Sequence, residues 1–200
     1  MTLDRRSLLL IAALIVLAAA GVLIYATSAQ SLVGAVIEPP KPMPNFTLQS
    51  AAGPVSLEHF RGKLVVLFFG YTNCGDVCPL TLANLRQAMT LLDKQQAGQV
   101  QVLFVSVDWK RDTPAKLADY AHAFNPGFIG LTGSQAQIDS VTRDYGIFYQ
   151  LNAPDAKGFY TVDHTSSSLI LNRQGELVVT WPYGMQPSEL ASDLKILLRK

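Results

Sequence analysis

The feature that most constrains the fold is an uninterrupted apolar run, residues 64–69 (LVVLFF), that leads into the only two cysteines of the chain. A run of this kind is typical of a strand buried on both faces of a parallel or mixed sheet. After the cysteines, residues 82–92 repeat apolar side chains at helical spacing. The sequence therefore predicts a strand that delivers Cys74 and Cys78 to the beginning of a helix.

The alternation of strands and helices continues to the end of the chain. Predicted strands cover residues 100–107, 128–131, 148–151, 167–171 and 176–181, and predicted helices begin near Thr113, Ser134 and Pro187. A turn at residues 172–175 (NRQG) joins the last two strands into a hairpin. Because strand–helix–strand–helix followed by a hairpin and a helix is the thioredoxin order, we predict an α/β, thioredoxin-like fold with a mixed central sheet flanked by helices.

The N-terminal part of the chain has a different character. Residues 8–25 carry no charge, and as a helix rising about 1.5 Å per residue they would span roughly 27 Å, close to the thickness of a bilayer core. Arg5 and Arg6 precede this stretch and favour a cytoplasmic N-terminus with an exported remainder. The alternatives are a signal peptide cleaved near residues 18–20 or 27–29 and a twin-arginine export signal.

We therefore divide the chain into a transmembrane anchor or signal segment (residues 1–27), a proline-rich linker (28–44) and a thioredoxin-like domain (45–200). The prolines in residues 39–44 (PPKPMP) favour extended backbone, which predicts a semi-rigid stalk. This arrangement predicts a single-pass protein of the inner, cytoplasmic membrane. Its folded domain would lie in the periplasm or an equivalent exported compartment.

Composition narrows the classes of function. The chain has 16 basic and 15 acidic residues, a net charge of +1 and no long basic run, so nucleic acid is not predicted as a partner. Two cysteines are too few for a disulfide framework. The cysteine pair is therefore interpreted as a site.

Cys74 and Cys78 are separated by three residues. At this spacing on a helical turn, the two side chains project from one face and their sulfurs can share one bridge or one metal ion. The beginning of a helix also favours the thiolate form. A structural disulfide across so short a loop would constrain the unfolded chain little. A redox dithiol and a metal dithiolate both remain open at this point.

Two observations favour the metal site. Thioredoxin-type oxidoreductases have two residues between their cysteines and a cis-proline before the hairpin strand, whereas this chain has three residues and places His164 in that region. One imidazole and two thiolates suit copper in either oxidation state, Cu(I) most readily. A structural zinc site would normally need a fourth protein ligand. The sequence thus predicts Cys74, Cys78 and His164 as copper ligands.

Three blocks of sequence together resemble the SCO/SenC family of copper chaperones. They are residues 70–79 (GYTNCGDVCP), 106–114 (SVDWKRDTP) and 160–165 (YTVDHT). The resemblance implies a membrane-anchored, thioredoxin-fold protein that helps to assemble the copper centre of cytochrome c oxidase. It also implies that the family's copper ligands correspond to Cys74, Cys78 and His164.

The chain departs from the family pattern at two positions. Gly75 and Trp109 stand where the family commonly has proline. Glycine at position 75 is expected to loosen the loop between the two sulfurs. Neither change removes a ligand, so the expectation of metal binding is unaffected.

The resemblance implies a metallochaperone rather than an enzyme. Its partners would be the copper-receiving subunit of cytochrome c oxidase and a thiol reductant or another copper chaperone. Asp163 is expected to orient His164, because ligating imidazoles usually donate their other N–H group to a carboxylate or a carbonyl; the alternatives are an exposed turn residue and a partner contact. Asp108, at the end of the strand beside the cysteine strand, is expected to be a helper or a partner contact.

Three alternatives stay open. The first is a membrane-tethered thiol–disulfide reductase that acts on the cysteines of the oxidase subunit and uses Cys74 and Cys78 as a redox disulfide. The second is a peroxidase of peroxiredoxin type, for which Thr72 is present but no arginine can be placed from the sequence. The third is a non-catalytic redox or copper sensor.

Overall fold

The computed structural model describes residues 4, 11, 14–17 and 31–199. The chain divides into two units, Met1–Ser31 and Leu32–Lys200. In the first unit, Ile11 and residues 14–17 are helical, and most of the anchor predicted at residues 8–25 lies outside the described residues. Over the part of the chain that is described, no helix has both the length and the apolar character needed to cross a bilayer.

The second unit is built on a six-stranded mixed sheet, and four further strands form two small hairpins. The strands are β1 (Ala35–Pro42), β2 (Thr47–Ser50), β3 (Gly53–Ser56), β4 (Leu64–Gly70), β5 (Val100–Ser106), β6 (Ile129–Leu131), β7 (Tyr149–Leu151), β8 (Val162–His164), β9 (Ser168–Leu171) and β10 (Glu176–Trp181). The order in the main sheet is β1-β10-β9-β4-β5-β6. Strands β4, β5 and β6 run parallel to one another, whereas β9, β10 and β1 are joined by antiparallel pairing.

The centre of the sheet is its most buried part. All seven residues of β4 are buried, as expected for an apolar run with no polar interruption. Gly70 at the end of β4 pairs with Ser106 at the end of β5. Because parallel strands end at the same edge of a sheet, the segments that follow these two strands lie side by side.

The helices also follow the predicted order. They are α1 (Val77–Thr90), α2 (Lys94–Gly98), α3 (Pro114–Phe124), α4 (Gln135–Tyr145) and α5 (Pro187–Leu198). The hydroxyl of Thr113 caps α3 by accepting from the N–H of Lys116, and Ser134 caps α4 in the same way through Gln137. Helix α1 packs against α5, and α3 packs against β6. The predicted α/β fold with a mixed sheet is confirmed.

Two short hairpins lie outside the main sheet. One pairs β2 with β3, and the other pairs β7 with β8. His164 is the last residue of β8 and pairs with Tyr149 of β7. The predicted third ligand therefore belongs to an excursion from the sheet and not to the sheet itself.

The predicted boundary between linker and domain at residue 45 has to be corrected. Ala35–Pro42 is not a stalk but strand β1, which pairs with β10 at the edge of the sheet. Proline lacks a main-chain N–H group. It is tolerated in an edge strand because the outer side of such a strand forms no hydrogen bonds to a neighbouring strand. The backbone is extended as expected, but its pairing partner lies in the C-terminal hairpin, far away in sequence.

A buried carboxylate fixes the start of this strand. Asp193 on α5 is fully buried and accepts hydrogen bonds from the main-chain N–H groups of Val33 and Gly34, at 2.8 and 2.9 Å. It also accepts from Trp181 Nε1 at 2.9 Å. A Cβ atom at Gly34 would lie 2.5 Å from Cδ1 of Trp181, so glycine permits this close approach.

The pairing also fixes the end of the sheet at which β1 begins. Ala35 pairs with Thr180, one residue before the partner of Ser168. Ser168 in turn pairs with Phe68 near the end of β4. Strand β1 therefore begins at the same end of the sheet at which β4 reaches the cysteine segment.

Candidate metal centre

Cys74 and Cys78 lie where β4 is followed by α1. Cys74 is half-buried in the connecting loop, and Cys78 is fully buried as the second residue of α1. The main-chain N–H of Cys78 donates to Cys74 Sγ at 3.4 Å, so the beginning of the helix points at the first sulfur. A Cβ atom at Gly70 would lie 2.7 Å from Cys78 Sγ, so this sulfur can occupy its position only because β4 ends in glycine.

His164 reaches the cysteines from the far half of the chain. Its Nε2 lies 3.6 Å from Cys78 Sγ. The sulfurs of Cys74 and Cys78 and a ring nitrogen of His164 all lie within 4.8 Å of one another; we refer to these residues as the three-residue cluster. The imidazole packs edge-on against the rings of Tyr71 and Phe68, with centroids 5.8 and 6.4 Å away.

The other ring nitrogen of His164 fixes the tautomer. Nδ1 lies 3.0 Å from the carbonyl oxygen of Thr165, which can only accept. In the neutral imidazole Nδ1 therefore carries the hydrogen, and Nε2 presents its lone pair to the sulfurs.

The expectation that Asp163 orients His164 has to be corrected. The side chain of Asp163 is exposed and accepts a hydrogen bond from Asn152 Nδ2 at 3.2 Å. Asp163 and His164 are neighbours in β8, and a strand directs neighbouring side chains to opposite faces. The main-chain carbonyl of Thr165 therefore accepts the hydrogen bond that was predicted for the Asp163 carboxylate. A contact between Asp163 and a partner protein stays a prediction.

The two thiols differ strongly in acidity. A hydrogen bond from the Cys78 thiol is the main cause that lowers the pKa of Cys74 to about 5, and the main-chain N–H groups of Cys78 and Asp76 add to the effect. The same shared hydrogen bond, together with burial, raises the pKa of Cys78. At neutral pH the reduced pair thus consists of an accessible thiolate and a buried thiol.

The alkylation of Cys74 by iodoacetamide should report this acidity directly. Because a lowered pKa keeps the thiolate populated as the pH falls, the rate should stay near its plateau down to about pH 6 and be half-maximal near pH 5. A free cysteine, with a pKa of about 8.5, would have roughly 100-fold less thiolate at pH 6.5. Peptide mass spectrometry of the reduced protein measures the rate at each cysteine.

The Cys74→Ser variant is the control for this measurement. Its remaining thiol, Cys78, is buried and should be labelled slowly across the same pH range. A midpoint near pH 8.5 for Cys74 in the wild-type protein would contradict the expected acidity.

The three-residue cluster offers two sulfurs and one nitrogen to an ion. In the described part of the chain, no other histidine, cysteine or carboxylate joins these three residues as a fourth ligand. A structural zinc site usually has four protein ligands, whereas soft thiolates with an imidazole suit Cu(I). Half-buried Cys74 leaves one side of the cluster accessible.

Asp108 is fully buried just beyond the end of β5. Its Oδ2 accepts from Arg111 Nε at 2.5 Å, and its Oδ1 accepts from the hydroxyl of Tyr160 at 2.8 Å. Burial, and next this hydrogen bond, raise the pKa of Tyr160 to about 12, so its hydroxyl is a donor at neutral pH. Because the Asp108 side chain is buried, it supports neighbouring residues and does not form a partner contact in this conformation.

Asp112 lies in the same loop and supports the cysteine segment. Its carboxylate accepts from the N–H of Thr72 at 2.9 Å and from the hydroxyls of Thr72 and Ser106. Lys116 Nζ lies 3.1 Å from the same carboxylate. The segment between β5 and α3 therefore contacts both the chain that leads to Cys74 and the chain that leads to His164.

The sequence reasoning missed three residues of this region. Gly70 makes space for a sulfur, and Arg111 and Tyr160 bind Asp108. Each belongs to one of the three blocks that carry the family resemblance, at residues 70–79, 106–114 and 160–165. Membership in those blocks was the available signal, but it does not reveal which contacts the residues make.

Comparisons with known proteins agree with this geometry. A family model described as SCO1/SenC matches residues 35–199. A SCO2-like protein of Rickettsia felis is 34% identical over 139 residues, which are 69% of this chain and 67% of the relative.

Two solved structures resemble the fold closely. The solution structure of apo Sco1 from Thermus thermophilus has a TM-score of 0.74 and 38% identity, and the match covers 85% of this chain and 96% of that one. The structure of copper-bound ScoI from Bradyrhizobium japonicum has a TM-score of 0.71 and 34% identity, and the match covers 78% and 99% of the two chains.

Proposed function

The chain belongs to the SCO1/SenC family, and from this premise we propose that it binds copper through Cys74, Cys78 and His164 and delivers it during assembly of the copper centre of cytochrome c oxidase. The observation that carries the proposal is the approach of two sulfurs and a ring nitrogen to within 4.8 Å of one another. The copper-bound relative from Bradyrhizobium japonicum supports copper as the ion.

The protonation states suit the uptake of a monovalent ion. Cys74 is already a thiolate at neutral pH, whereas Cys78 must release its proton to become a ligand. In the neutral imidazole of His164 the lone pair of Nε2 is free for an ion, because the hydrogen is on Nδ1, which bonds the Thr165 carbonyl. Binding of Cu(I) should therefore release about one proton per ion.

The unequal exposure of the ligands suits transfer to another protein. Cys78 is buried, whereas Cys74 is half-buried and is the sulfur that an incoming ligand can reach first. A three-ligand site leaves a coordination position through which a partner's thiolate or imidazole can bind before the ion leaves. The family relationship supports the copper-receiving subunit of cytochrome c oxidase as that partner.

Oxidation of the pair would control the site. Transfer of two electrons to an external oxidant, with release of the single thiol proton of Cys78, joins the two sulfurs in a disulfide, which offers no thiolate to the ion. The two sulfurs lie within 4.8 Å of one another, and the loop must bring them to a bond length of about 2.05 Å. A thiol reductant is therefore a second expected partner.

We also propose that residues 8–25 anchor the protein in the cytoplasmic membrane. The support is the uncharged length of that segment and the two arginines before it. The folded unit would then lie in the periplasm or an equivalent exported compartment.

A Cu(I) titration of the full-length protein against a coloured Cu(I) chelator tests the proposal. The reduced protein should bind one ion per chain, and the protein oxidised to the disulfide should bind none. Re-reduction with a phosphine, which does not itself supply a thiol ligand, should restore the binding. If the reduced and the oxidised protein competed equally well with the chelator for Cu(I), the proposed site would be contradicted.

Thiol–disulfide reduction is the second candidate function. The observation that favours it is the pairing of an accessible thiolate at Cys74 with a buried thiol at Cys78, an asymmetry that disulfide exchange also uses. A reduction potential near −270 mV, typical of a general reductant, together with turnover on a disulfide substrate would support it. Metal binding without such turnover would favour the chaperone.

A further inference from the structure

The hairpin that carries His164 lies outside the main sheet. Because β7 and β8 pair only with each other, the main sheet does not set the position of this histidine. The hydroxyl of Tyr149 donates to Asp139 on α4, but that contact is exposed. Two contacts reach the interior of the domain: Val162 of β8 is buried in the core, and Tyr160, four residues before His164, bonds the buried side chain of Asp108.

Arg111 is the centre of the contact made by Tyr160. Its Nη1 donates to the main-chain carbonyl of Tyr160 at 2.9 Å, and its guanidinium carbon lies 3.5 Å from the centroid of the Tyr160 ring. Its Nε forms an ion pair with buried Asp108, which also accepts from the Tyr160 hydroxyl. We refer to Asp108, Arg111 and Tyr160 as the Arg111 clasp.

A second route leads from Arg111 to the imidazole. The guanidinium carbon lies 5.9 Å from the centroid of the Tyr71 ring, and Tyr71 is one of the two rings that pack against His164. Arg111 therefore contacts both the chain that precedes His164 and a side chain that limits rotation of its ring. Neither contact touches the ion or its ligands.

We infer that Arg111 is a positioning residue that holds His164 within reach of Cys78, and this inference rests on the copper site proposed above. The main-chain and side-chain bonds of the Arg111 clasp fix Tyr160, and a short extended segment then places His164 Nε2 beside the sulfur. Without Arg111, buried Asp108 loses its cation and the carbonyl of Tyr160 loses its donor. The hairpin would then leave the cysteines for part of the time.

The first test needs no copper. In the metal-free, reduced, full-length protein, Arg111→Gln should increase hydrogen exchange of the β7 and β8 amides about tenfold, the effect expected for one lost charge-assisted hydrogen bond. Exchange in the buried strand β4 should not change. The matched control is Arg143→Gln, which removes an arginine whose side chain is 73% exposed and whose nearest acidic contact is 3.9 Å long.

The second test measures the coupling between Arg111 and His164. Arg111→Gln should weaken Cu(I) binding about 10- to 100-fold in the wild-type background, as is usual when a residue that orients a ligand is lost. In the His164→Ala background the same substitution should have no further effect, because no imidazole remains to be positioned. The Cu(II) complex of Arg111→Gln should also show less nitrogen coupling in its paramagnetic resonance spectrum.

Two further variants keep the inference falsifiable if Arg111→Gln folds poorly. Tyr160→Phe removes a single oxygen and should reproduce the exchange and affinity changes at smaller size. Arg111→Lys keeps the charge but cannot bond both Asp108 and Tyr160 in the same geometry. It should therefore keep only part of the wild-type Cu(I) affinity and of the protection of β7 and β8 from hydrogen exchange. Wild-type affinity and exchange in both Arg111→Gln and Tyr160→Phe would overturn the inference.

The outcomes separate this inference from the proposed function. If His164→Ala alone leaves copper affinity unchanged, the proposed site is wrong, whereas the exchange result still reports on the hairpin. If His164→Ala weakens binding and the Arg111 variants do not, the site stands and the positioning role of Arg111 is wrong. Equal losses from Arg111→Gln with and without His164 would show a general destabilisation and would also overturn it.

Discussion

Replacement of Cys78 by serine should abolish tight Cu(I) binding, and replacement of His164 by alanine should weaken it by more than roughly 100-fold. The estimate for His164 is a lower limit, because the loss of a residue that merely orients a ligand already costs 10- to 100-fold. Serine is close to cysteine in size but offers a hard oxygen in place of a soft thiolate. The buried position of Cys78 should therefore stay filled while the ligand is lost.

The ligand series includes a matched control and a distinctive ranking. His122 is exposed on α3, and His122→Ala should leave the affinity at the wild-type value. The variants Cys74→Ser and Cys78→Ser should lose more affinity than His164→Ala, because Cu(I) prefers thiolate to imidazole. Competition titrations with the coloured chelator measure all four variants. Binding that survives His164→Ala unchanged would favour the reductase, for which only the two thiols are needed.

The second large effect concerns stability. Asp193→Ala should lower the free energy of unfolding by about 3–5 kcal/mol, because three donors, two of them buried, would lose a charged acceptor at once. Two of these donors are the main-chain N–H groups of Val33 and Gly34, and the third is the indole N–H of Trp181. Urea unfolding, followed by the fluorescence of the buried Trp181, measures the loss.

The control for this prediction is Asp119→Ala. Asp119 is exposed on α3, so its replacement should change the free energy of unfolding by no more than about 0.5 kcal/mol. Asp193→Asn tests the role of charge, because an amide can accept with one oxygen only and should recover part of the stability. Equal unfolding midpoints for Asp193→Ala and Asp119→Ala would show that the buried carboxylate does not stabilise the start of β1.

Local sequence patterns were enough to predict the centre of the fold. The apolar run of β4, the caps at Thr113 and Ser134 and the turn between β9 and β10 each depend on neighbouring residues, and each is confirmed. Strand β1 was missed because its hydrogen-bond partners come from β10. A proline-rich segment has the same extended backbone as a free stalk and as an edge strand.

The candidate site divides in the same way. The side chains that meet in the three-residue cluster could be chosen from their chemistry, since thiolates and an imidazole are strong ligands wherever they lie. The groups that orient these ligands could not be identified from their chemistry. His164 is oriented by the main-chain carbonyl of Thr165, a group that every residue has, and Arg111 acts through contacts that only the folded loop creates.

The direction of β1 has a consequence for how the domain can be held. The segment from Leu32 to the start of β1 lies at the end of the sheet that presents Cys74, whereas Leu198, near the last helical turn, contacts Arg173 in the turn at the opposite end. A domain coupled to a solid support through Leu32 is thus held at the end of the sheet that carries its thiols, and the spacer length decides which molecules reach them. Coupling through the C-terminus fixes the domain by the end opposite the thiols.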